Sequence, residues 1–313
     1  MLAYLVKRLT LSLVVVALVL LLLFSMLYMI PGNPAIIALG TRASPEAIAE
    51  YSARMGLDEP VGMQFLIYVG NALQGDLGSD VFSGRPVTDV IGERIGFTMA
   101  LIFTGMTWAV LLGVPLGCLS AVRQNGWIDH VTGILSVGTI AIPSFLVSIW
   151  ALLIFALQLR WLPAIGAGEP GDFADQLSHL ILPAFAIGLG WVGYLARMVR
   201  ASMLEVLGEP YIRSARAYGL SPRKVTGYAL QVAILPTITL IGMGFGGLIS
   251  AAVFAEIIFS RPGLGKMIFD AVSDRNFPIV QGGVLVATGF YIFVVLISDL
   301  LIASLDPRVR QSL

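Results

Sequence analysis

A run of 22 residues without a charge, Leu9 to Ile30, follows Lys7 and Arg8. As an α-helix it would rise about 33 Å, enough to cross a bilayer's hydrocarbon core. Signal peptides have a shorter apolar core of about 7–15 residues, and Tyr28-Met-Ile-Pro31 is a poor cleavage site. The stretch 9–30 therefore reads as a retained first transmembrane helix, stopped by Pro31-Gly-Asn-Pro34. Five further apolar segments follow, at about 97–121, 131–157, 178–196, 232–255 and 281–303. Each approaches the roughly 20 residues that span a membrane. A composition 57% hydrophobic and only 12% charged fits the same conclusion. The expected fold is an all-α integral membrane protein with six transmembrane helices.

Between the first two spans lies the one long polar region, 31–96. It mixes a helix start at Ser44-Pro-Glu46 with turns at Gly75-Asp-Leu-Gly78 and Ser83-Gly-Arg-Pro86, so it reads as a small ordered subdomain rather than a linker. Six spans put both termini on one side. With the N-terminus inside, the inner segments hold 11 of the 19 Lys/Arg and the outer segments 14 of the 19 Asp/Glu. That asymmetry obeys the positive-inside rule. It makes 31–96 extracytoplasmic, and puts the loop 197–230 and the tail 304–313 in the cytoplasm. The five-helix remainder is 97–303, and the whole chain 1–313 is one membrane domain.

Several classes of chemistry are excluded. A formal net charge of zero offers nucleic acid no basic surface. The single Cys118 and two histidines, His130 and His179, have no metal-ligand spacing. Gly263-Leu-Gly-Lys266 lacks the full phosphate-loop pattern, since Met267 follows the Lys. No catalytic constellation exists, so the chain reads as a non-enzyme without a cofactor of its own. Asp299 is the one acidic residue inside a span; a polar path and snorkelling to the near interface both explain it. Asp299 and Ser144 are the candidates for a translocation path. Arg197 and Arg200 read as interfacial anchors closing the fourth span. His179 reads as a solvated histidine before that span, and Glu256 as the outer end of the fifth. Gly113-x-x-x-Gly117 and Gly242-x-x-x-Gly246 permit close helix packing.

One cytoplasmic stretch carries signals at both ends. Pro210 suits a first helical turn and Gly219 the left-handed residue past the last. Ser221-Pro222 then looks like the start of a second helix. Ile212, Ala215 and Gly219 share roughly one face of the short helix, and Ala215, Ala217 and Gly219 allow close approach. The residues of interest are Tyr211, Ile212, Arg213, Ser214, Ala215, Arg216, Ala217 and Gly219. By its local pattern alone this could be an ordinary amphipathic loop helix.

Arg213-Ser-Ala-Arg-Ala-Tyr-Gly219 resembles the cytoplasmic "EAA" loop of ABC importer permeases, in the form used by the dipeptide/oligopeptide (peptide/nickel) branch. Arg213 stands where the generic motif has Glu, and Ile234-Leu-Pro236 lies further on than the generic closing Leu-Pro. Other segments match the branch in order: Pro31-Gly-Asn-Pro-Ala35, Gly56-Leu-Asp-Glu-Pro60, Gly75-Asp-Leu-Gly78, Gly84-Arg-Pro86, Gly166, Arg200-Ala-Ser-Met203, Arg261-Pro-Gly-Leu-Gly-Lys266, Asn276-Phe-Pro-Ile-Val-Gln-Gly282 and Asp306-Pro-Arg308. The resemblance covers nearly the whole chain and is to the first, B-type permease subunit. It implies the type I ABC importer permease fold. It also implies a second homologous permease, two ABC ATPase subunits that use ATP and Mg, and an extracytoplasmic substrate-binding protein. The short helix would be the coupling helix, with the Ile212–Ala215–Gly219 face filling an ATPase groove. The implied cargo is a dipeptide or oligopeptide, with glutathione, a nickel chelate or another small solute as alternatives. A secondary transporter would more often show intramembrane ionisable groups and repeat symmetry. A membrane scaffold is opposed directly only by the coupling-helix match.

Overall fold

The computed structural model describes residues 2–29, 34–40, 43–55 and 59–305. Its helices are α1 (Leu2–Met29), α2 (Pro34–Leu39), α3 (Pro45–Met55), α4 (Val61–Leu73), α5 (Val87–Val122), α6 (Trp127–Ala141), α7 (Ser144–Ala151), α8 (Phe173–Leu207), α9 (Pro210–Ala217), α10 (Pro222–Ala233), α11 (Leu235–Ile258), α12 (Leu264–Ser273) and α13 (Phe277–Leu305). Five of these, α1, α5, α8, α11 and α13, are long and apolar enough to cross a membrane, and α6 with α7 makes a sixth only as a bent pair. Pro31-Gly-Asn of the first expected stop, and Asp306-Pro-Arg308 and the tail, lie outside the described residues.

The segment 131–157, expected as one straight span, is broken by 99° between α6 and α7. The cause is local. Pro143 has no N–H to continue the helix and forces its predecessor out of the helical region; Ile142 is extended, at φ −87° and ψ 121°. Helix α7 then widens into a π-helical stretch, Leu152–Gln158, ending with the Leu159 N–H on the Ile154 carbonyl at 2.9 Å.

The chain divides into two compact units. One comprises Met99–Arg261 and the chain from Phe293 on, the other Leu2–Thr98 and Pro262–Ile292. The described part of 31–96 thus clusters with α1 and with residues far along the chain. In the first unit α8 is the hub, packing against α6, α7, α10 and α11. Asp172 caps it, its carboxylate accepting from the Ala174 and Asp175 N–H groups, and its 35 residues run about 52 Å. Glycines set how closely its neighbours approach. A Cβ on Gly113 would lie 2.9 Å from the Val192 carbonyl oxygen, and one on Gly117 only 2.4 Å from that of Ala196. Gly242 is pressed likewise against Ser298 of α13. Both glycines of the first small-residue motif and the leading one of the second therefore serve packing.

In the second unit Val87, Ile91, Leu264, Ala271, Ile279 and Val280 form the apolar core. Around it the Leu264 N–H reaches the Thr98 hydroxyl at 2.8 Å, and Gln281 Nε2 donates to the Leu23 carbonyl at 2.9 Å. The Ser44 hydroxyl accepts from the Ala47 N–H at 3.2 Å, the cap its position before Pro45 suggests.

Candidate coupling surface

An isolated helix of eight residues is not stable in water, so α9 exists because its ends and one face are held. Pro210 occupies its first turn. At the other end Gly219 takes φ +77°, its N–H meets the Arg216 carbonyl at 3.0 Å, and the Leu220 N–H meets that of Ala215 at 3.2 Å. These two bonds make a Schellman motif, which needs a residue comfortable at positive φ. Ser221 sits at the start of α10 as expected, but its side chain makes no capping bond.

The held face belongs to Ile212. It is fully buried in a cluster with Ala121, Val199, Met203, Val206, Val225, Ala229 and Ala233, with Leu220 packed alongside. Burying such a side chain stabilises by about 1.5–3 kcal/mol. The expectation that Ile212, Ala215 and Gly219 form a presented face is thereby corrected. Ile212 faces the chain's own core, Ala215 is half-buried, and only Gly219 of the three is exposed. The outward face is instead Tyr211, Arg213, Ser214, Arg216, Ala217 and Tyr218, with Tyr218 85% exposed. Ser214 donates its hydroxyl to the Pro210 carbonyl at 3.2 Å. From Pro210 to Tyr228 there are four cations, Arg213, Arg216, Arg223 and Lys224, and no carboxylate. All four are exposed, as is Tyr228.

Residues 113–311 match the family described as "Binding-protein-dependent transport system inner membrane component", and residues 1–102 match its N-terminal membrane component. The chain belongs to this family of ABC importer permeases. Within it the chain is similar to the dipeptide transport system permease DppB of Alkalihalophilus pseudofirmus, 36% identical over 99% of this chain and 100% of that protein. It is equally similar to the glutathione transport system permease GsiC of Escherichia coli, 36% identical over 99% of each chain. These relatives place it in the peptide branch. Among solved structures, inward-facing forms of the MetNI methionine ABC transporter share its fold. The TM-score is 0.56 at 15% identity, covering 69% of this chain and 96% of that one. The permease is accordingly a multi-pass inner-membrane transport component, of a family that works with ATPase and binding-protein components.

Next to the α9 socket, the permease carries a charged clasp absent from the sequence expectation. Asp129 at the start of α6 is 6% exposed. Arg200 of α8 grips it with both Nε and Nη2, the latter 2.7 Å from Oδ2. The Ser120 hydroxyl of α5 donates to the same carboxylate, and so does the Asn125 N–H, at 2.9 Å. Three helices are thus tied at one carboxylate. Arg200, expected as an interfacial anchor, also has this buried acid as its partner, and α8 continues past it to Leu207. The available signal was Asp129 itself, an acid at the start of a predicted span. Two other readings change as well. His179 has a side chain only 16% exposed, held by the Asp175 carbonyl at 2.9 Å. Glu256 is fully buried, as is Arg261 at 3% exposure, whose charge interacts with it. Ser144 is half-buried at the start of α7, its carbonyl accepting the Ser148 hydroxyl at 2.9 Å. Asp299 lies on α13, and its side chain is outside the described residues.

Proposed function

We propose that this permease imports dipeptides or short oligopeptides, and that α9 couples it to the ATPase subunits. The supporting observation is the division of labour on α9. Ile212 roots the helix in the permease, while Tyr211, Arg213, Ser214, Arg216, Ala217 and Tyr218 project outward. A helix rooted on one face and bare on the other moves as a unit with α8 and α10. The cationic, aromatic surface complements a groove with acidic character. In this reading two ATPases hydrolyse ATP with Mg, a second homologous permease completes the pathway, and a binding protein delivers cargo outside. The termini and α9 lie in the cytoplasm, as the charge asymmetry favours. Ser144, beside the break at Pro143, and Asp299 belong to the translocation path.

Ala217→Arg places a long charged side chain on the outward face and leaves the socket untouched. We expect the permease to insert normally, with co-purified ATPase and substrate uptake both reduced at least about tenfold, the consequence of an overpacked interface bearing an unpaired charge. Wild-type ATPase retention, turnover and uptake in this variant would remove α9 as the coupling element. Glutathione is the second cargo reading, favoured by the equal identity to a glutathione permease. Competition for uptake between dialanine and glutathione separates the two.

A further inference from the structure

The unit made of Leu2–Thr98 and Pro262–Ile292 contains a cavity of about 340 Å³, bounded by α3, α4, the 76–84 turn and the start of α13. Small-molecule sites start at about 300 Å³, so the space suits one compact solute. Its ionisable lining is of one sign: Glu50, Asp76 and Asp80 contribute carboxylates, and no Lys, Arg or His lines it among the described residues.

The negative charge at Asp80 is fixed by the fold. Asn276 Nδ2 donates to its Oδ1 at 2.5 Å from 196 positions along the chain, and the Ser83 hydroxyl and Phe82 N–H donate as well. Burial works against ionisation, yet these bonds together hold its carboxyl below the usual range. Tyr68, also on the wall, has its phenol pushed up to about 12 by burial and by Tyr51, and so remains a neutral hydrogen-bonding group. Gln281 is the decisive residue. It lines the cavity at 7% exposure and commits Nε2 to the Leu23 carbonyl. Its Oε1 receives no hydrogen bond among the described residues. This oxygen is not one of the sealed, unpaired polar atoms; it keeps access to the cavity's solvent, where a ligand N–H can take the place of water. A metal ion is the poorer fit, because no group of three or more His, Cys, Asp or Glu side chains converges among the described residues.

We propose that this cavity is a binding site, on the permease itself, for the free α-ammonium end of a small peptide. The ammonium has three donors and no acceptor. Gln281 Oε1 takes one, and the carboxylates of Asp80 and Glu50 supply the countercharge. An anionic or N-acylated solute finds hydroxyl and amide donors on the wall, from Tyr51, Tyr68, Ser79 and Asn71, but no cationic side chain, and it faces the like charge of Glu50, Asp76 and Asp80. The assignment of the ammonium to a peptide rests on the peptide reading above; the cation preference does not.

The test uses the assembled importer in lipid nanodiscs without binding protein, probed by saturation-transfer NMR with dialanine, N-acetyldialanine and n-butylammonium. Dialanine and n-butylammonium should bind, and N-acetyldialanine about tenfold more weakly, the loss expected when a charged hydrogen-bond donor is removed. Glu50→Gln alters an exposed side chain and Gln281→Met keeps the volume. Each should weaken dialanine about threefold to tenfold without changing assembly on size exclusion. Equal binding of the free and acetylated dipeptides, or wild-type affinity in Glu50→Gln, overturns the proposal. Binding of n-butylammonium without dialanine overturns the peptide assignment while leaving the cation site standing.

Discussion

The socket beneath α9 and the cavity beside α3 and α4 differ in their polar content. The buried cluster around Ile212 is built of aliphatic and other apolar side chains, so the socket holds by close packing. Packed interiors transmit displacement because they have little free volume. The cavity wall mixes carboxylates, amides and phenols with apolar residues such as Leu39, Leu77, Val81 and Pro278, and it keeps open space. Its order comes from hydrogen bonds such as Asn276 to Asp80, which tolerate water and exchange partners. One construction suits passing on a movement and the other suits receiving a polar solute.

The largest expected effect tests the socket. Ile212→Ala removes a fully buried side chain and should cost about 2–5 kcal/mol locally. Since α9 cannot stand alone, the segment 208–221 should become open to limited proteolysis, and uptake should fall while membrane insertion persists. A protease-resistant, active variant would show that packing does not root the helix. The clasp should respond less. Asp129→Asn keeps the shape but removes the charge facing Arg200, which is partly exposed at 32%. With solvent screening, a loss of about 1–3 kcal/mol in denaturant unfolding is expected.

The smallest effect belongs to the cavity wall. Asp80 is held below its ordinary pKa when folded. It therefore contributes stability above the unfolded carboxylate range, and loses it as pH falls through the lower folded value. Asp80→Asn should cost under about 1 kcal/mol at pH 7, after allowance for its exposure. The difference from wild type should vanish in acid, where both side chains are neutral. Amide hydrogen exchange at 76–86, followed as the pH is lowered from 7 through the acid range, measures it. A loss at Asp80 exceeding that at Ile212 would reverse the comparison.

Much of the architecture was legible because membrane helices follow from local composition. Five of the six expected spans correspond to single helices, and Pro210, Gly219 and Pro222 marked α9 and the start of α10. The faces of α9 were not legible. Spacing shows that Ile212 and Ala215 are neighbours on the helix, but not which side meets Val199, Met203 and Val225. The partner of Arg200 was not legible for the same reason: whether an arginine grips a buried acid depends on the helix opposite. Asn276–Gly282 and Gly75–Gly78 stood out as family landmarks, with nothing to say that they meet.

By itself the sequence determined the membrane class, the number of apolar segments, the helix-stopping prolines and the membership of the permease family. All of these rest on local composition, capping chemistry or ordered motifs along one chain. The tertiary structure decided that the segment 131–157 turns at Pro143, that Ile212 is rooted, that Asp129 clasps Arg200, and that Asp80 and Gln281 share a cavity. Apart from the turn, whose angle is set in the folded chain, these join residues tens to hundreds of positions apart. Their pairing depends on packing and desolvation, which exist only once the helices have met.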